Sequence, residues 1–492
     1  MSKKVNFSKI NLLSIILAVV MLIIVISCGG GGGGGSIIPP IGGGGSSGGG
    51  SSPDISFSNE GYLIIETKSD SLNTSSLSFN FQTSSSNILS NENNNINRNT
   101  LNNIREFRCG FKPSNKDNLN NNILYSSSPP NLNEIRDFQV YDSATNNTVT
   151  VNAKCVYVNS NPKYAIWVDT NNTDNYNEES LFNANQGNII SHFNNDYNTL
   201  TANIGALNFY VDILITEKVD SSSDPLVIGY FWGYQDSQRV NVHPITLDPN
   251  FNYGAYNEFN VTLAHEFVHL LEYNKTTIGN HSAWIAEGLA TYGEKLCGYF
   301  GDVRINSIKS FFEHPDTTSL VTDYPDVPNY GKSFLFIKQL DQRFNNAWAN
   351  MLTSSLDGIN LIENINGPSE DFQTTVDKFN IAVLIDTNDN NPTYDFRDLD
   401  LNSSTFYNGN NNGIYRYNGW NNTTLKNMGA ANSMNPYSAY YLYKNSAFNG
   451  NILVNSIQLL FSNFVDNSIN GWNIKYDDFD GNSNVRFILL YK

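Results

Sequence analysis

Basic residues are scarce in this chain: 29 lysines and arginines face 46 aspartates and glutamates, for a net charge of -17. A surface that acidic repels phosphate backbones, which excludes nucleic acid as a partner. Cysteine is scarcer still, at four in 492 residues, too few for a small scaffold stapled by disulfides. Only one long apolar run is present, residues 12–26 at the amino terminus. There are also only six histidines, so two of them at a meaningful spacing carry weight.

Two histidines have such a spacing. In His265-Glu266-Phe267-Val268-His269, positions i and i+4 fall on one face of a helix, so both imidazoles can hold one ion. Glu266, about 100° further round, can reach a water on that ion. Residues 261–271 have apolar side chains at 261, 264, 267, 268 and 271, no proline and no charge except Glu266. They read as a largely buried helix starting at Asn257 or Asn260. Polar groups placed in such a helix are costly unless something satisfies them. Zinc would do so, and the chemistry it implies is peptide-bond hydrolysis with Glu266 as the general base.

A catalytic zinc takes three protein ligands and leaves a position for water. Glu287 is the candidate third ligand. It lies in Trp284-Ile285-Ala286-Glu287-Gly288-Leu289-Ala290, a second helical stretch that can pack antiparallel to the first after a short loop. A glycine and a histidine three and six residues after His269 would be the alternative source, but Glu272 and Lys275 stand there. Glu294, two turns after Glu287, could accept the second N–H of a ligand histidine or be a solvated helix carboxylate.

HEFVH followed by WIAEGLA resembles the glutamate-zincins, and the wider context resembles the hyicolysin family of metallopeptidases. The likeness extends over roughly residues 183–385. It includes the strand-like run from Val211 to Thr216, then Gly229-Tyr230-Phe231, a Leu247-Asp248 strand before the zinc helix, and Tyr330-Gly331-Lys332-Ser333 downstream. The resemblance implies an α+β zincin-type domain and an endopeptidase acting on polypeptide. The GAMEN-type segment of the related aminopeptidases is missing. In related enzymes a tyrosine leading into a downstream helix donates to the oxyanion, which implies that role for Tyr330; Tyr292 and His281 are other donors.

At the amino terminus Lys3, Lys4 and Lys9 precede the apolar run, and Val25-Ile26-Ser27-Cys28 follows. This is the pattern of a secretory signal. It resembles a bacterial lipobox, which implies cleavage before Cys28, lipidation of that cysteine and attachment to the outside of a bacterial membrane. An uncleaved apolar anchor is the alternative. Residues 29–52 are nearly all glycine and serine, a flexible tether reaching roughly 25–30 Å.

The expected organisation is therefore a leader over 1–27, a tether over 28–55, an antiparallel β domain over 56–175, the metallopeptidase domain over 176–395 and a second β domain over 396–492. Short alternating runs such as those at 137–141, 149–157 and 485–491 carry the β assignments. Cys109 and Cys155 either pair or remain free thiols. Asp169-Thr170-Asn171 and Asp386-Thr387-Asn388-Asp389-Asn390 offer oxygens for calcium, but without the glycine and distal glutamate of an EF-hand loop. Solvated turns are the competing account. The functional alternative to a peptidase is a surface adhesin or binding lipoprotein on an inactive zincin scaffold.

Overall fold

A computed structural model describes the chain except for residues 1–54, 58–59, 84–107, 110–127, 146, 172–175, 221–226, 234–235, 249–257, 324, 369, 388–390, 407–413, 415, 419–429, 445, 447, 456, 460, 464–471, 479–483 and 492. All described residues belong to one unit, Pro53–Lys492. The expected leader, Cys28 and the expected tether up to residue 54 lie outside them, whereas Ile55 begins a strand paired with residues 448–450. No helix among the described residues is long and apolar enough to cross a membrane.

The chain is α+β. A seven-stranded sheet runs in the order Arg108–Cys109, Val227–Phe231, Arg239–Val242, Val211–Ile215, Lys163–Asp169, Asn147–Ser160, Ile135–Asp142. Its middle pairings, 163–169 with 211–215 and 211–215 with 239–242, are parallel, whereas 227–231 runs antiparallel to 239–242. From Tyr164 to Asp169 the side chains of this strand are buried on both faces. Tyr164, Ile166 and Val168 join the main core, while Ala165 and Trp167 join a smaller core with Phe138, Leu214 and Tyr230. The main core is formed with helices α1 (Glu178–Thr201) and α2 (Glu258–Lys275), through Phe193, Tyr197 and Phe267.

Six more helices follow among the described residues: α3 (Ala283–Leu296), α4 (Asp302–Glu313), α5 (Val327–Arg343), α6 (Ala347–Leu352), α7 (Gly358–Asn366) and α8 (Phe372–Ile385). Beyond them a six-stranded sheet runs Tyr417–Asn418, Ala439–Lys444, Gly61–Thr67, Val485–Tyr491, Asn473–Asp478, Ser462–Asn463. One face, with Tyr62, Ile64, Tyr441 and Ile488, joins the main core. The other, with Leu63, Ile65, Leu442 and Phe487, packs on Phe79, Phe81 and Ile452 of a second sheet.

The expected domain boundaries at 175/176 and 395/396 are corrected by these sheets. Strands from 135–169 extend the sheet that carries 211–242, and Gly61–Thr67 is hydrogen-bonded between two carboxy-terminal strands. Alternating patterns identify strands but not their partners. The Leu247-Asp248 strand is also corrected: Pro244–Leu247 is a 3-10 turn capped by the His243 ring. Proline at its start lacks the N–H that a sheet ladder requires.

Candidate metal centre

Helix α2 contains no proline or glycine, and Glu258 in its first turn faces the positive end of the helix dipole. Asn260 lies inside the first turn, bonded to Asn188 at 2.8 Å, so the helix starts before it. Its residues from Phe259 to Glu272 are almost all buried, including His265, Glu266 and His269. After a loop, α3 returns across it. A Cβ on Gly293 would lie 2.5 Å from Val268, so glycine there is what lets α3 lie close on α2. Gly288 does the same against α5, where a Cβ would meet Ile337 at 2.7 Å and the Ser333 carbonyl at 3.0 Å. Trp284, between Phe336 and Phe372, fixes the start of α3.

This packing brings the three expected ligands together. His265 Nε2 is 3.1 Å from Glu287 Oε2 and 3.3 Å from His269 Nε2, and His269 Nε2 is 3.6 Å from the same oxygen. Four-coordinate zinc with bonds of about 2.0–2.2 Å separates its donors by roughly 3.3–3.6 Å. The three side chains thus fit a metal ion, and they form the one metal-capable group of His, Cys, Asp and Glu found among the described residues.

Electrostatics show what such an ion would offset. Burial works against charge on both imidazoles, yet Glu287 and the carboxylates behind them raise both; His269 is pushed up to about 10. Burial likewise works against charge on Glu287, and the two histidines hold it well below the usual carboxylate range. Glu266 behaves differently. Burial raises its pKa against the pull of the imidazoles and of the Phe231 backbone N–H, and neither of its oxygens, both buried, has a hydrogen bond of good geometry. A buried unpartnered carboxylate costs several kcal/mol unless a ligand or water occupies the space beside it. Gly229 in the neighbouring strand leaves room for it: a Cβ there would lie 2.4 Å from Thr262 and 3.4 Å from Glu266 Cγ.

A carboxylate stands behind each histidine. Glu294 Oε1 accepts from His265 Nδ1 at 2.6 Å, so of its two sequence readings the buried partner is the one the structure adopts. Arg304 of α4 grips the same carboxylate, with Nε 2.7 Å from Oε2 and Nη2 2.5 Å from Oε1. Glu272 Oε2 lies 3.6 Å from His269 Nδ1, and its other oxygen accepts from the His281 backbone N–H at 2.5 Å and from His281 Nδ1 at 2.8 Å. Sequence reasoning missed Glu272 and Arg304 as site residues. Glu272 left a signal, since it follows His269 by three on a helix face; Arg304 left none.

Tyr330 is buried in the first turn of α5, with the Arg304 guanidinium 5.8 Å from its ring centroid. Of the other donors considered, Tyr292 gives its hydroxyl to Asp341 at 3.0 Å, and His281 is engaged with Glu272.

The disulfide alternative is corrected. Cys155 is a buried free thiol. Its strand is five positions across the seven-stranded sheet from Arg108–Cys109, about 24 Å at the usual strand spacing and far beyond disulfide reach. The first carboxylate of each candidate calcium loop is engaged by the protein's own donors: Asp169 by Asn171 N–H and Thr216, Asp386 by the Phe396 and Leu401 amides. Residues 388–390 of the second loop lie outside the described residues.

Compared with known proteins, the chain matches no family model and no curated sequence.

Proposed function

We propose that this chain is a zinc-dependent endopeptidase of the glutamate-zincin kind, tethered through Cys28 to the outside of a bacterial membrane and acting on polypeptide. One observation carries the reading: a buried carboxylate, Glu266, neither of whose oxygens has a well-formed hydrogen bond, adjoins two histidines and a glutamate at tetrahedral spacing. A structural metal has no use for such a base. The tether rests on the lipobox-like run before Cys28 alone.

Bound zinc supplies Lewis acidity, which makes water a usable nucleophile near neutral pH and polarises a carbonyl. Glu266 accepts the proton released as water adds to the scissile carbonyl carbon, then delivers it to the leaving amine nitrogen as the C–N bond breaks. Glu294 and Glu272 hold the ligand imidazoles in place, each accepting from or facing an Nδ1. Tyr330 donates to the oxyanion, a role supported by its place at the start of α5 beside Arg304.

The test is cleavage of a quenched fluorogenic peptide library by the chain lacking residues 1–52. Chelation should abolish turnover and added zinc restore it. A protein that binds zinc stoichiometrically and cleaves nothing would instead favour the inactive-scaffold alternative.

A further inference from the structure

The His265 carboxylate partner is itself held. Glu294 is entirely buried, so its side chain is held only by the groups that hydrogen-bond to it, His265 and Arg304 among them. The Arg304 guanidinium meets both of its oxygens, at 2.7 Å and 2.5 Å, in the fork geometry that only arginine offers. Glu258, in the first turn of the helix that carries His265, interacts electrostatically with the same guanidinium and with Glu294. Arg304 is thus the cation that grips Glu294. It sits in the first turn of α4, an element that supplies no candidate ligand.

We propose that Arg304 is a positioning residue for the metal: by gripping both oxygens of Glu294 it holds that side chain against His265 Nδ1 and so fixes the imidazole with Nε2 turned toward Glu287 and His269. The inference rests on the zinc reading above. The ligand face follows from the pairing: an imidazole that donates from Nδ1 presents its lone pair at Nε2, and His265 Nε2 is the atom facing Glu287 and His269. Removing the guanidinium takes away both hydrogen bonds that hold Glu294 in place, and His265 loses its fixed acceptor. The guanidinium also lies beside the Tyr330 ring, so its loss should be felt at the start of α5 as well.

The test uses Arg304→Gln, Arg304→Lys and Glu294→Gln in the full chain, with zinc affinity measured by competition against a chromophoric chelator. Arg304→Gln should weaken zinc binding by about 10–100-fold, the usual effect of removing support behind a ligand. Arg304→Lys, which keeps the charge but not the fork, should fall between it and wild type. The Arg304→Gln/Glu294→Gln double variant should bind zinc no worse than the weaker single variant, because both changes act on one relay. Affinity within twofold of wild type in Arg304→Gln, or multiplicative losses in the double variant, would overturn the proposal. Should Arg304→Gln not fold, Arg304→Lys decides it, and unchanged affinity there counts against it. A readout free of metal separates this inference from the peptidase reading: the slowly exchanging His265 Nδ1 proton in metal-free protein, followed by NMR. Wild type that takes up no zinc defeats the peptidase reading. Persistence of the Nδ1 signal in the arginine variants defeats the role of Arg304.

Discussion

Glu266 and Glu66 are both fully buried glutamates, and burial raises the pKa of each. Around Glu66, on the central strand of the six-stranded sheet, the polar groups are satisfied. Its oxygens accept from Asn380 Nδ2 at 2.8 Å and Gln373 Nε2 at 3.3 Å. The adjoining Asp377, on α8, accepts from Gln373 at 3.0 Å and pairs with Arg486. Around Glu266 the polar groups are not satisfied, and two imidazoles and another carboxylate stand close by. A buried acid whose hydrogen bonds all close within the protein joins a sheet to a helix; one whose bonds remain open is shaped for something that arrives from outside. Burial and pKa direction, which the two share, do not distinguish them.

Substitutions can break the comparison at either end. Glu266→Gln should lower kcat by about a thousandfold or more while zinc stoichiometry stays at one per chain, because the amide fills the space but cannot take up a proton. Peptide turnover beside metal analysis checks this, and retained turnover removes Glu266 from the chemistry. Arg486→Met should act in the opposite sense, costing about 3–5 kcal/mol of stability by stranding the Asp377 and Glu66 carboxyls with zinc affinity unchanged, as read by urea unfolding and chelator competition. Tyr330→Phe should reduce kcat and kcat/KM together by roughly 100-fold at constant KM, the pattern of an interaction made in the transition state.

The finest distinction is in pH dependence. Glu66 keeps its proton in the folded chain to higher pH than in the unfolded chain, because of burial and the charge of Asp377. Its contribution is complete below the ordinary glutamate range, about pH 4.3, and is lost as pH rises toward its folded pKa. Glu66→Gln should therefore flatten the decline of stability with rising pH relative to wild type, by up to about 1.4 kcal/mol per pH unit. Parallel slopes in urea melts across pH 5–8 would show that Glu66 does not keep its proton in the folded chain.

The open centre was far more legible in the sequence than the closed one. Two imidazoles four residues apart, and a glutamate on the next helix, are local relations that a helical repeat makes visible. Glu294 was within reach for the same reason, seven residues after Glu287 on α3. Arg304, and the whole Glu66–Asp377–Arg486 cluster, depend on contacts between distant segments: Arg486 and Asp377 are separated by 109 positions. The three-domain division failed for a related reason, although Tyr164-Ala165-Ile166-Trp167-Val168 held a clue. An unbroken apolar run of that length fits a strand covered on both faces in a larger sheet better than a half-exposed strand of a small β domain.

Gly61–Thr67 pairs on one side with Ala439–Lys444 and on the other with Val485–Tyr491, so Gly61 lies opposite Tyr491. The order of synthesis therefore limits when the fold can close. A ribosome that has made the metal ligands and all eight described helices has still not made the strand that completes this sheet. Until that strand arrives, Gly61–Thr67 has an open hydrogen-bonding edge, and the face of the sheet beneath α8 is incomplete. Chain closure by the last strand is slow, because the partners are far apart in sequence. It also leaves this sheet pliable until Val485–Tyr491 pairs.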